Sequence, residues 1–248
     1  MAAIPAPEQF ASETHRSWKP AALIGLALAA ILVRLAPLLR SDLGFAFIHE
    51  DSFWFIQTAQ GILHGCGFAR WINGACAPAE IMRTPGYPLM LALIPDPRLA
   101  MVAQDLMGGA ICMLVGWWVW RCWGIGAALI AEFFIAFDLP SIVFADHIMS
   151  EQLFQFMLVL AMVPPLLVVS GLLKDSWAMA IAVFSATVAG IAILVRPIGI
   201  LIPFTTPIPF LFSATIPRRS RIAMAAIAFV LPTLTVIGWS ARNYAESG

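Results

Sequence analysis

Residues 177–195 read WAMAIAVFSATVAGIAILV, nineteen positions without a charge, and stop abruptly at Arg196-Pro197. At 1.5 Å of rise per residue, a helix of that length crosses a hydrocarbon core of about 30 Å. Runs of the same character recur at residues 21–39, 99–120, 124–145, 152–173, 198–216 and 222–240. The run at 21–39 is interrupted only by Arg34. The one at 198–216 holds Pro203, Pro207 and Pro209, which should kink or break it. Of 248 residues, 61% are hydrophobic and 11% charged, against about 25% charged in a soluble domain. The sequence therefore predicts an all-α polytopic membrane protein, one transmembrane domain of about seven helices. Net charge is zero and no basic run is long enough to grip nucleic acid.

Lys and Arg near the span ends set the orientation. With the N-terminus inside, Arg16, Lys19, Arg121, Lys174 and the cluster Arg218, Arg219 and Arg221 share the inner side. Arg40, Arg70, Arg83, Arg98, Arg196 and Arg242 fall outside, spread over more chain. The expected layout is a cytoplasmic tail over 1–20, a first periplasmic loop over 40–98 and a periplasmic tail over 241–248, in a bacterial inner membrane. The first apolar run is too long for a signal peptide and no convincing cleavage site follows it, so it reads as a retained anchor.

The loop over 40–98 carries most of the chemistry. Phe53, Trp54, Phe55, Ile56, Ile62 and Leu63 suit a short helix on the membrane surface, with Gln57 and Gln60 on another side. Gly65, Gly67, Asn73, Gly74 and Pro78 predict irregular chain, and residues 87–94 a second surface helix. Cys66 and Cys76, ten positions apart, would bridge if this face is oxidising; spacing alone leaves that open. Cys112 and Cys122 read as small buried hydrophobes. No Cys or His set has zinc-ligand spacing, although a divalent cation held with Glu50 or Asp51 stays open.

Two segments of the loop matter most: Glu50-Asp51-Ser52-Phe53-Trp54-Phe55, and Arg83-Thr84-Pro85-Gly86-Tyr87-Pro88-Leu89. With Gly65-Cys66-Gly67-Phe68, Ser150-Glu151, Arg196-Pro197 and Arg242-Asn243, their order along the chain resembles the GT-C superfamily of membrane glycosyltransferases. These enzymes take a sugar from a polyprenyl-phosphate carrier; protein mannosyltransferases and lipid A aminoarabinose transferases are members. The resemblance implies an acidic residue early in the first outer loop (Asp51, with Glu50 beside it). It also implies a Pro-Gly-Tyr-Pro turn bearing Tyr87, an acid opening the fourth span (Glu151), and arginines after the fifth and seventh (Arg196, Arg242). Its implied partners are a polyprenyl-phosphate-sugar and membrane lipids.

The chemistry agrees with that expectation. Phosphate leaves well as an anion, so transfer from a sugar phosphate needs a base for the acceptor hydroxyl and cations for the leaving phosphate. Asp51 is the candidate base, with Glu50 as substitute or partner. Arg83 and Arg196 are candidate phosphate clamps, since a guanidinium matches phosphate oxygens. Direct displacement would invert the anomeric centre. Structural roles compete at each position. Asp51 would equally cap its helix. Arg83 would anchor the loop to headgroups, and Arg196 would snorkel. Glu151 would neutralise an arginine or cap its span, and Tyr87 would join an interface belt.

Charges inside the apolar runs, Arg34, Asp105, Glu132 and Asp138, need partners or a cavity. Arg34 and Asp105 are placed to pair, and Asp138 to line a polar cavity. A transporter would use such residues, but no two-half symmetry appears. Against the superfamily, the chain corresponds to the N-terminal transmembrane module only. That keeps a second reading alive: a non-catalytic module serving as a lipid-binding or scaffolding subunit beside an additional membrane subunit.

Overall fold

A computed structural model describes residues 18–39, 50–213 and 216–247. The chain is mostly helical. Helix α1 (Trp18–Leu35) is followed in the loop by α2 (Glu50–Leu63), a hairpin of β1 (Ala69–Ile72) and β2 (Ala75–Ala79), and α3 (Gly86–Leu93). Then come α4 (Pro97–Trp123), α5 (Ile125–Ala136), α6 (Leu139–Ala145), α7 (Glu151–Val169), α8 (Ala178–Val195), α9 (Ile202–Thr205), α10 (Ile208–Leu211) and α11 (Arg218–Ser247). Among the described residues, α4, α7, the chain from Asp175 to Val195, and α11 are each long and apolar enough to cross a membrane. The pair α5 and α6 makes a fifth if counted as one bent span. The molecule is a helical membrane protein.

Two of the expected spans are not continuous helices. Residues 124–145 break into α5 and α6, which meet at 50°. The cause is local: Asp138 accepts from the backbone N–H and hydroxyl of Ser141, capping a new helix, and Pro140 sits in its first turn. Asp138 is therefore a cap and not a cavity residue. Residues 197–211 fold as a 3-10 turn (Pro197–Leu201) and the short helices α9 and α10, because each proline withdraws an amide and crowds the preceding turn. This broken segment leaves Arg196 and reaches Phe210, which packs with Val168 and Ala178. Those residues close the ends of α7 and α8 opposite Glu151 and Val195, so the segment traverses the bundle without being a helix of spanning length.

Helix α4 packs on α1, α5 and α7; α8 packs on α7 and α11. The loop is docked to one end of this bundle. Phe55 of α2 and Tyr87 and Leu91 of α3 share a buried cluster with Met101, Ile148, Leu153 and Val195. Helices form at both positions where the sequence predicts them in the loop, as α2 and α3.

Between them the expectation of irregular chain fails. Residues 69–79 form an antiparallel hairpin whose turn is Asn73-Gly74, at φ of 52° and 82°. Positive φ at both central residues is the tight turn that matches strand twist, and Asn-Gly favours it. Cys66 and Cys76 are bridged, with Cα atoms 5.6 Å apart. Closing a loop of this size restricts the unfolded chain by about 3 kcal/mol.

The expected Arg34–Asp105 pair does not form. Arg34 is fully buried, and its guanidinium donates to the carbonyls of Ala30 (3.1 Å), Ile135 (3.2 Å) and Ala136 (2.9 Å). The last two are the terminal carbonyls of α5, where the helix dipole presents partial negative charge. Those acceptors are fixed and need no desolvation of a carboxylate, which explains why Arg34 takes them. Both carboxylate oxygens of Asp105 and of Glu132 are buried without a hydrogen-bond partner.

Candidate functional site

The RTPGYP turn is held against the end of α8. Thr84 donates its hydroxyl to the Val195 carbonyl at 2.8 Å. Gly86 opens α3 so close to that helix that a Cβ there would stand 2.8 Å from the Leu194 carbonyl oxygen. A side chain at 86 would push the turn away, which is the local reason for glycine. The contact sets Arg83, just before the turn, near Arg196, just after α8.

Arg83 points to α2. Its Nη2 donates to Asp51 Oδ1 at 2.5 Å. Arg196 Nη1 forms an ion pair with Glu151 Oε1, the first residue of α7. All four line one cavity of about 80 Å³, with Thr84 and Pro197 on its wall. Residues 51, 83, 151 and 196, scattered over more than half the chain, thus meet at one place. Their formal charges cancel. Both arginines are about one-third exposed, so the pairs are open to exchange rather than sealed. Glu151 Oε2 has no partner.

Asp51 is the second residue of α2 as described, and its Oδ1 is taken by Arg83. The side chain of Glu50 lies outside the described residues, as do Arg40 and His49. Tyr87 is brought near but not into the cavity. It is completely buried, packs edge-on against Phe55 at 4.9 Å, and donates to Gln104 Oε1 at 2.6 Å. Burial, and secondarily the charge of Glu151, holds its phenol well above the ordinary range, so it remains a donor. Gln104 in turn donates to the carbonyls of Ala145 (2.9 Å) and His147 (2.8 Å). Tyr87 therefore braces the turn leading to Glu151.

Arg242 does not reach the cavity. Its Nη1 donates to the Glu80 carbonyl at 2.5 Å, and its guanidinium lies over Phe68 (5.4 Å) and Trp239 (5.1 Å). Asn243 donates to the Ile81 carbonyl at 3.2 Å. Arg242, expected at the ligand, thus joins Asn243 in fastening α11 to the strap that carries Arg83.

Glu80 is a site residue that the sequence reading missed. It is buried; Oε1 accepts from the amides of Met82 (2.8 Å) and Arg83 (3.3 Å), and Oε2 lies 3.6 Å from Arg70 Nε. The available signal was weak: a lone acid two and three residues before amides it could bind. No cluster of three or more metal-binding side chains occurs among the described residues. Compared with known proteins, the chain matches no family model, no curated protein and no solved structure.

Proposed function

We propose that the protein transfers a sugar from a polyprenyl-phosphate carrier to an acceptor at the outer face of the membrane. One observation carries the reading: two acid–arginine pairs from four separated segments share one small cavity at the loop end of the bundle. A phosphate entering between Arg83 and Arg196 gains two charge-assisted contacts and can draw Arg83 off Asp51. Asp51, so released, stands beside the reacting centre as the base that takes the acceptor proton. The sugar–phosphate bond breaks with its electron pair on the phosphate oxygen, and the acceptor oxygen bonds to the anomeric carbon from the opposite face. The product is inverted. Glu151 Oε2, buried without a hydrogen-bond partner, is the acceptor this reading assigns to a hydroxyl of the sugar.

The same reading takes α1 and the sixth apolar run, 198–216, as membrane passes, which completes seven. It puts the N-terminus in the cytoplasm and the loop and C-terminus in the periplasm of a bacterial inner membrane. The Cys66–Cys76 bridge supports an oxidising outer face for the loop.

A second reading, a lipid-binding or scaffolding subunit without chemistry, is favoured by the size of the cavity and by its pairing. About 80 Å³ is below the roughly 300 Å³ at which ligand sites begin, and each arginine is already neutralised. Purified protein in liposomes with a radiolabelled polyprenyl-phosphate-sugar separates the two. Sugar leaving the carrier in wild type but not in Asp51→Asn supports transfer; carrier bound and never consumed supports the subunit.

A further inference from the structure

Arg83 is held from three directions that meet at a single buried acid. Trp54, one turn after Asp51 on α2, lies under the guanidinium of Arg70 at 3.8 Å. Arg70 on β1 reaches Glu80 Oε2, and Glu80 Oε1 takes the Met82 and Arg83 amides. Arg83 closes the ring on Asp51. From the far side, Arg242 and Asn243 of α11 bind the Glu80 and Ile81 carbonyls, and the Glu80 amide donates to the Phe68 carbonyl at 2.9 Å. A side chain that accepts from the amides of Met82 and of Arg83 itself fixes where the chain turns, and hence where the guanidinium emerges. A surface ion pair alone does not fix it, because exposed pairs are worth about 0–1 kcal/mol.

We infer that Glu80 is a positioning residue for Arg83, and that Arg242 and Asn243 make the last helix part of the same support. Placement of the loop arginine thereby depends on a helix whose contacts to residues 80 and 81 span 162 positions of sequence. Glu80 touches no ligand; it acts through the strap at residues 80–83. The inference rests on the proposed role of Arg83 in holding a phosphate, but its central statement concerns the side chain's placement and is measurable without turnover.

The test is arginine-selective labelling of the full chain in nanodiscs by phenylglyoxal, read by mass spectrometry at Arg83 and at Arg196. Binding of a polyprenyl phosphate is measured on the same samples. In Glu80→Ala, labelling of Arg83 should accelerate about fivefold to tenfold, the range that losing one or two hydrogen bonds allows. Labelling of Arg196 should not change, and the Cys66–Cys76 bridge should stay closed to alkylation. Glu80→Gln keeps an acceptor for the two amides and should label Arg83 close to the wild-type rate. If Glu80→Ala fails to fold, Arg242→Met attacks the same strap from its other side and should accelerate Arg83 labelling alone, by about half as much. An unchanged Arg83 rate overturns the inference, and so does an equal acceleration at Arg83 and Arg196, which would make Glu80 a general structural support. Accelerated Arg83 with no polyprenyl phosphate bound even by wild type leaves the positioning role standing and removes the transferase reading.

Discussion

The loop end and the interior of the bundle use the same residue types in opposite ways. At the loop end, Asp51 meets Arg83 and Glu151 meets Arg196, in partly exposed pairs around a cavity. In the interior, Arg34 is spent on backbone carbonyls, while Asp105 and Glu132 have no hydrogen-bond partner. A bilayer makes this difference instructive. Charged groups inside the apolar runs need partners, and Arg34, in the last turn of α1, gives three guanidinium hydrogen bonds to fixed backbone carbonyls, with only its Nε left without a partner. The loop pairs are held by partners that a competing anion can replace. On the proposed reading, permanent satisfaction builds structure and replaceable satisfaction makes a site.

The largest effect expected from that contrast is at Asp51. Asp51→Asn should lower sugar transfer at least about a hundredfold, the usual contribution of a general base, with carrier binding retained; a radiolabel transfer assay in liposomes measures it. Opening the Cys66–Cys76 bridge with paired serines should destabilise the loop by about 3 kcal/mol, seen as proteolysis between residues 64 and 80 before the bundle melts. Intact bundle and cut loop together would sharpen the distinction between the two regions. For the interior, a double-mutant cycle of Arg34→Met and Asp105→Asn should give a coupling below about 1 kcal/mol. A coupling of the 3–5 kcal/mol lost on breaking a buried pair would mean that these two do pair in the membrane and that the contrast is wrong.

The smallest effect is on pH dependence. Asp146, one residue past α6, has its carboxyl raised from 3.8 to about 6 by burial, partly opposed by His147 and Arg34. The fold favours the protonated form. Its contribution to stability is therefore full below the unfolded value and is lost as pH rises through about 6. Thermal stability should decline across that window in wild type and stay flatter in Asp146→Asn.

Much of this was legible in the sequence because it depends on local pattern. Apolar runs placed α4, α7, α8 and α11, and prolines marked the segment that breaks after Arg196. Asp51, Arg83, Glu151 and Arg196 were singled out, and the structure brings them together. The hairpin is missed although Asn73-Gly74 announces it, because Gly65 and Gly67 before the turn and Pro78 after it read as irregular chain. The partners of Arg34 and Arg242 were not legible, since backbone carbonyls at Ile135, Ala136 and Glu80 are acceptors in any sequence. Side-chain types reveal which groups need satisfaction; only packing says whether backbone or an opposite charge supplies it.

Native mass spectrometry of the protein extracted gently from its own membrane tests the central claim most directly. A bound polyprenyl phosphate or its sugar conjugate is expected on wild type and on Arg34→Met. On Arg196→Ala its occupancy should fall about tenfold or more, as loss of a charge-assisted contact predicts. An unchanged lipid on Arg196→Ala, or a stoichiometric protein partner with no such lipid on wild type, would contradict the account.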